Sequence, residues 1–164
     1  MDTQVGAVFK NHVTNLVAGM KAPYFELRDQ DGKTRNLKEF AGKKLILYFY
    51  PTDGTPTCTE EACNLRDGYQ DLQKADFAVL GISKDTESSH LKFSSKHRLP
   101  FSLLADTELK MSNAYGVWGL KKFMGKMYEG MARTTFLISE EGVITAVITK
   151  VKAKDHARQI LELA

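Results

Sequence analysis

From Leu45 to Tyr50 the chain runs through Leu, Ile, Leu, Tyr, Phe and Tyr without one polar residue. A strand with one wet face alternates apolar and polar side chains, so an unbroken run of this length reads as a strand covered on both faces, at the centre of a sheet. Phe77 to Ile82 reads the same way, and Thr55 to Lys74 between them carries a helical pattern. Strand, helix, strand requires a crossover that makes the two strands parallel, which fixes the class as α/β, with a central mixed sheet flanked by helices.

The flanks add to this frame. Phe25 to Arg28 and Thr34 to Leu37 surround the turn dipeptide Asp31-Gly32 and predict an N-terminal β-hairpin. Thr86 to His97 predicts a helix capped by Asp85 or Thr86, with Leu91 and Phe93 among its few apolar residues. Phe101 to Leu104 predicts a short strand and Thr107 to Tyr115 a short helix. Gly116 to Gly130 holds four glycines and no clean period, which predicts a surface loop. Thr134 to Ser139 and Val143 to Thr149 form a hairpin around Glu140, Glu141 and Gly142. Asp155 to Leu163 closes the chain as a helix with Ala157, Ile160 and Leu161 on its stripe.

With 164 residues, 43% of them hydrophobic, the chain can bury one full core without metal or disulfide staples. One domain is expected over residues 16–164, behind an extension, residues 1–15, of undecided structure. Lys and Arg number 23 against 20 Asp and Glu, a formal charge of +3, and no basic block of five to eight residues appears, which argues against nucleic acid as a partner. No apolar run is long enough to span a bilayer and the first ten residues lack a signal pattern, so a cytoplasmic protein is expected.

Two cysteines remain, and in a reducing compartment such a pair is buried filler or chemistry. Thr55 followed by Pro56 reads as an N-cap and a first-turn proline, which makes Cys58 the third helical residue; Thr57 with Glu60 offers a capping box that would start the helix two residues later. In either register Cys58 sits at the first turn, where unpaired N–H groups and the helix dipole favour a thiolate. Cys58, Ala62, Leu65, Tyr69 and Leu72 step by four and three, so Cys58 faces inward. Cys63 lies five residues on, roughly 8 to 9 Å away between Cα atoms in an intact helix. A disulfide needs less than about 7 Å, so the pair can close only if this turn and a half unwinds. Two inert packed thiols fit the spacing equally well. A zinc site finds no support, because His12, His90, His97 and His156 show no ligand spacing.

The segment Leu47 to Asp67 resembles the active-site segment of the peroxiredoxins, in particular the Q type, or bacterioferritin comigratory protein group. Its P-x-x-x-T-x-x-C motif is met by Pro51, Thr55 and Cys58. Further similarity lies at Gly19 to Pro23 with Phe25, Asp31 to Lys33, Gly81 to Ser83, Leu99 to Phe101, Tyr115 to Trp118 and Arg133 to Phe136, so the resemblance spans about Leu16 to Leu163. Thr57 departs from it, standing where glycine is common.

The resemblance implies a thioredoxin-like fold and reduction of hydrogen peroxide or organic hydroperoxides without metal or organic cofactor. It makes Cys58 the peroxidatic and Cys63 the resolving cysteine. Thr55 is then a hydrogen-bond partner of thiolate and peroxide, Pro51 a shield against water, and Arg133 the guanidinium that contacts sulfur and substrate. Thiolate attack on the peroxide yields a sulfenic acid, Cys63 converts it to a disulfide, and thioredoxin or a similar dithiol reduces that disulfide. The implied assembly is a monomer. Phe123, Met124, Met127 and Tyr128 are expected to wall the site, to dock the reductant, or simply to pack their loop. Two rivals stay open: a peroxide-sensing redox switch that signals to a partner, and an α/β module with inert cysteines.

Overall fold

The computed structural model describes residues 10–164. Asn11 to Thr14, within the extension, run beside the hairpin that follows residue 117: His12 N donates to Leu120 O at 2.9 Å and Lys122 N to Asn11 Oδ1 at 2.8 Å. Residues 1–9 of that extension lie outside the described residues.

Strands β1 (Glu26–Arg28) and β2 (Thr34–Asn36) pair antiparallel around Gly32, as the Asp-Gly dipeptide requires. Next come β3 (Lys44–Phe49), α1 (Pro56–Asp67), α2 (Tyr69–Lys74) and β4 (Phe77–Ser83), and β3 and β4 are parallel. The expected single helix between them is broken at Gly68. A Cβ there would stand 2.5 Å from the Ala157 methyl, so glycine lets the C-terminal helix press against the junction. Helix α3 (Glu87–His97) opens on Thr86, whose hydroxyl accepts from Ser89 N at 3.1 Å, and Phe93 is buried while Leu91 is exposed. Strand β5 (Ser102–Ala105) is parallel to β4. Helix α4 (Lys110–Ala114) is shorter than its pattern predicts because the buried Asp106 carboxylate takes the N–H groups of Met111 and Ser112.

The stretch expected to be a surface loop is instead a two-stranded antiparallel hairpin, β6 (Trp118–Phe123) and β7 (Lys126–Met131). Its turn, Met124-Gly125, has positive φ at both residues, the geometry of a tight hairpin turn, but methionine replaces the usual Asn or Asp. Leu120, Phe123, Met124, Met127 and Tyr128 are all exposed, so no alternation betrayed the strands.

Strands β8 (Thr134–Ile138) and β9 (Ile144–Ile148) form the expected hairpin, and α5 (His156–Leu163) ends the chain. The main sheet has the order β5-β4-β3-β8-β9, parallel on the β4 side of β3 and antiparallel on the β8 side. Ile46, Tyr48 and Tyr50 point into one core with α1, α3 and α5, while Leu45, Leu47 and Phe49 point into another with Phe25, Tyr115 and Phe136. That double cover is why the run through β3 has no polar residue.

Candidate active site

The loop leaving β3 is held down before it reaches the first cysteine. The Asp53 carboxylate accepts from the Tyr50 hydroxyl at 2.6 Å and the Ser89 hydroxyl at 2.8 Å, and lies 2.7 Å from His90 Nδ1. Its own N–H donates to Asp85 Oδ2 at 2.8 Å. Burial alone would raise the Asp53 carboxyl, but the His90 contact and these hydroxyl donors hold it below the ordinary value. Asp53, Asp85 and His90 bring ligand-type atoms within 4.8 Å of one another. Those atoms are already engaged by hydroxyls and N–H groups of the chain, so the cluster acts as an anchor for the loop.

From this anchor the chain enters α1 through Thr55 in extended conformation and Pro56 at the first helical position, which settles the register in favour of the Thr-Pro start. Cys58 is thus the third helical residue, with 1% of its surface exposed, and Ala62, Leu65 and Leu72 of its stripe are buried with it. Arg133, in the link between β7 and β8, reaches it: Nη2 donates to Cys58 Sγ at 3.3 Å while Nη1 donates to Glu61 Oε1 at 2.7 Å. The Arg133 guanidinium and the start of α1 thus meet on one buried sulfur. The other expected residues flank this pair from the loop. The Thr55 hydroxyl donates back to Thr52 O at 2.9 Å, so its proton is aimed at the loop and not at the sulfur. Pro51 is half-buried, with its carbonyl 3.4 Å from Lys84 Nζ.

Cys63, half-buried on the same helix, and Cys58 are both free thiols. Cys63 Sγ lies 3.7 Å from His97 Nδ1 at the end of α3. A cavity of about 630 Å3 runs between α1 and α3 past Thr59, Lys92, Lys96 and His97, and Cys58 is not on its wall. A smaller one, about 270 Å3, carries Arg133 and Lys121 on its wall together with His12 and Asn11. Lys121, whose Nζ donates to Met131 O at 2.7 Å, is held below the ordinary lysine range by burial and by the Arg133 charge.

Glu61 is the residue that sequence reasoning missed. It is fully buried, and burial pushes its carboxyl up to about 7 although Arg133 pulls it down. Its Oε2 has no hydrogen-bond partner among the described residues and lies 3.6 Å from His156 Nε2. His156, at the start of α5, is also fully buried and is depressed to about 4, mainly by burial, so at neutral pH it is an uncharged ring and not a salt-bridge partner. The Thr135 hydroxyl lies 2.8 Å from Nε2 and Gln159 Oε1 2.8 Å from Nδ1. The available signal was that Glu61, three residues after Cys58, shares its helix face.

This pair has an opposed pH signature. Glu61 ionises at 4.5 unfolded and about 7 folded, so between these values the folded chain holds the extra proton and stability falls as pH rises. His156 ionises at 6.5 unfolded and about 4 folded, so there the unfolded chain holds the extra proton and stability rises with pH. In the native chain the two slopes oppose each other across the shared window. Urea unfolding midpoints measured against pH should separate them: Glu61→Gln leaves stability climbing towards pH 6.5, and His156→Asn leaves it falling from pH 4.5 towards 7. Parallel curves for the two variants would show that these groups do not titrate as described.

A buried thiol at a helix start, hydrogen-bonded by a guanidinium from the link that enters β8, stands at the edge of a thioredoxin-like sheet. The family model described as AhpC/TSA matches residues 18–147, and the chain belongs to that family, as a thiol-dependent peroxidase of the peroxiredoxin kind. It is similar to Peroxiredoxin Bcp of Bacillus subtilis, 46% identical over 144 residues that make up 88% of this chain and 92% of the relative. Similarity extends to the putative peroxiredoxin bcp of Coxiella burnetii, 48% identical over 147 residues, 90% of this chain and 97% of that one. A solved structure of Xanthomonas campestris peroxiredoxin Q superposes with a TM-score of 0.82 at 34% identity, covering 88% of this chain and 94% of the other. Membership implies a peroxide as oxidising substrate and a thioredoxin-type reductant. No helix among the described residues is long and apolar enough to cross a membrane.

Proposed function

We propose that Cys58 is the peroxidatic cysteine, Cys63 the resolving one, and Arg133 the group that holds the thiolate and the transition state together. The observation that carries this reading is the 3.3 Å hydrogen bond from Arg133 to the buried Cys58 sulfur. The thiolate attacks one peroxide oxygen, the O–O bond breaks, and hydroxide or alkoxide leaves. Negative charge grows on the oxygens during this step. Arg133, already fixed by Glu61, and the first-turn N–H groups stabilise it without reorganising. Thr55 enters the scheme by turning its hydroxyl from Thr52 to the bound peroxide, and Pro51 by keeping water from the sulfur.

The second half requires α1 to open, since both thiols stand on one intact helix. Cys63 then attacks the Cys58 sulfenic acid, water is lost, and a dithiol protein such as thioredoxin reduces the resulting disulfide by exchange. Dependence on such a reductant fits a cytoplasmic enzyme. Cys58 and Cys63 stand on the same helix, so the disulfide needs no second copy of the chain, which supports a monomer as the working unit.

The test is turnover with thioredoxin, its reductase and NADPH. The native chain should consume many equivalents of peroxide, and the Cys63→Ser variant should consume one equivalent quickly and then stop. A Cys63→Ser chain that cycles with thioredoxin at the native rate would remove Cys63 from the reaction. A native chain that stops after one equivalent would point to a redox switch.

A further inference from the structure

We propose that His97 is the base that takes the proton from Cys63 as Cys63 closes the disulfide; this rests on Cys63 being the resolving cysteine, as argued above. The imidazole Nδ1 stands 3.7 Å from Cys63 Sγ, within hydrogen-bonding range for sulfur. Its ring is set edge-on against the buried Phe93, with centroids 5.1 Å apart, and its carbonyl accepts from Arg66 Nη1 at 2.8 Å. Half-buried as it is, His97 also reaches the α1–α3 groove, through which it exchanges protons with solvent. The charged groups about the pair are Arg66 and its partner Asp67 on α1, and Lys92 and Lys96 on α3. Of these, Arg66 acts on Cys63 through its charge, while Lys92 and Lys96 line the groove beside His97.

The surroundings keep the base beside its thiol when the helix opens. Asn64, the next residue, is clamped to the start of α5: its Oδ1 accepts from Ala157 N and its Nδ2 donates to Lys154 O, each at 2.8 Å. Leu65 is buried, Arg66 is tied to His97 itself, and Gly68 is pressed against Ala157. The chain is therefore anchored from Asn64 onward by its partners on α5, whereas α1 is entered through an exposed turn, Thr55 to Thr57, ahead of Cys58 and Glu61, which are buried and held by Arg133. Opening pivots at Asn64, so Cys63 stays near His97 and Cys58 is the sulfur that travels.

In the step itself, His97 Nδ1 accepts the proton of the Cys63 thiol. The thiolate electron pair forms the S–S bond to the Cys58 sulfur as its S–O bond breaks. Hydroxide leaves and takes a proton from solvent, and the imidazolium returns its own proton to solvent. Cys63 is oxidised from thiol to disulfide while the Cys58 sulfenic acid is reduced to the same level.

The experiment oxidises the native chain, His97→Asn and Cys63→Ser with one equivalent of hydrogen peroxide, blocks free thiols at timed intervals and counts sulfenic acid and disulfide by mass. With His97→Asn, sulfenic acid should form at the native rate, and disulfide formation should slow at least about 10-fold near pH 7 and recover as alkaline pH ionises Cys63 unaided. In the Cys58→Ser background, His97→Asn should slow alkylation of Cys63 by a similar factor, a readout that does not depend on helix opening. Native rates in both measurements overturn the role of His97. A native chain that forms no disulfide within itself overturns the resolving role of Cys63 instead, which is a different and separable outcome.

Discussion

Cys58→Ser should consume no peroxide above the uncatalysed rate while keeping its fold. Serine fills nearly the same volume at a site 1% exposed, and its hydroxyl oxygen keeps an acceptor for the Arg133 donor. The chemistry fails because a hydroxyl needs a general base to become a nucleophile, and none stands there: His156 is uncharged but lies behind Glu61, and Glu61 is occupied by Arg133. A single-turnover peroxide assay with circular dichroism as the control checks both halves. Peroxide consumption surviving in a folded Cys58→Ser chain would mean that Cys63 or another residue performs the attack.

Arg133→Ala should lower the second-order rate of the peroxide step by about 100- to 1000-fold, the usual cost of removing a donor aimed at charge that develops in the transition state. The variant should nevertheless fold. Removing one partner of a buried ion pair is normally destabilising because it strands the other charge. Here burial has already raised the Glu61 carboxyl to about 7, so without its guanidinium the group takes up a proton. The double variant Arg133→Ala with Glu61→Gln should match the single one in both rate and stability. A native peroxide rate in Arg133→Ala would detach the 3.3 Å contact from catalysis.

Legibility in the sequence followed the physics of each element. Strands β3 and β4 were plain because burial on both faces leaves no polar residue to confuse the period. The hairpin β6–β7 was hidden because both its faces are largely exposed and its turn uses methionine where Asn or Asp is usual. At the site, Cys58 could be placed at a first helical turn from local capping chemistry, in either of two registers, and the structure chose the one that starts at Thr55 and Pro56. Glu61 could not, because an adjacent pair of glutamates resembles a solvated helix face until Arg133, more than seventy positions away, is seen to meet one of them. His156 and His97 were invisible for the same reason: each works through a contact with a distant stretch of chain.

The clamp of Asn64 on α5 also sets a length. If α1 is fixed from that residue onward, the four residues between Cys58 and Cys63 tether the sulfenic acid to its partner, five chain steps with a reach of at most about 18 Å fully extended. A tether so short presents each sulfur to the other at an effective concentration in the millimolar range, roughly what short flexible linkers provide. A second peroxide molecule must compete with that intramolecular partner to carry Cys58 past the sulfenic state. An anchor that looks like ordinary helix packing thereby sets the odds between recycling and irreversible oxidation.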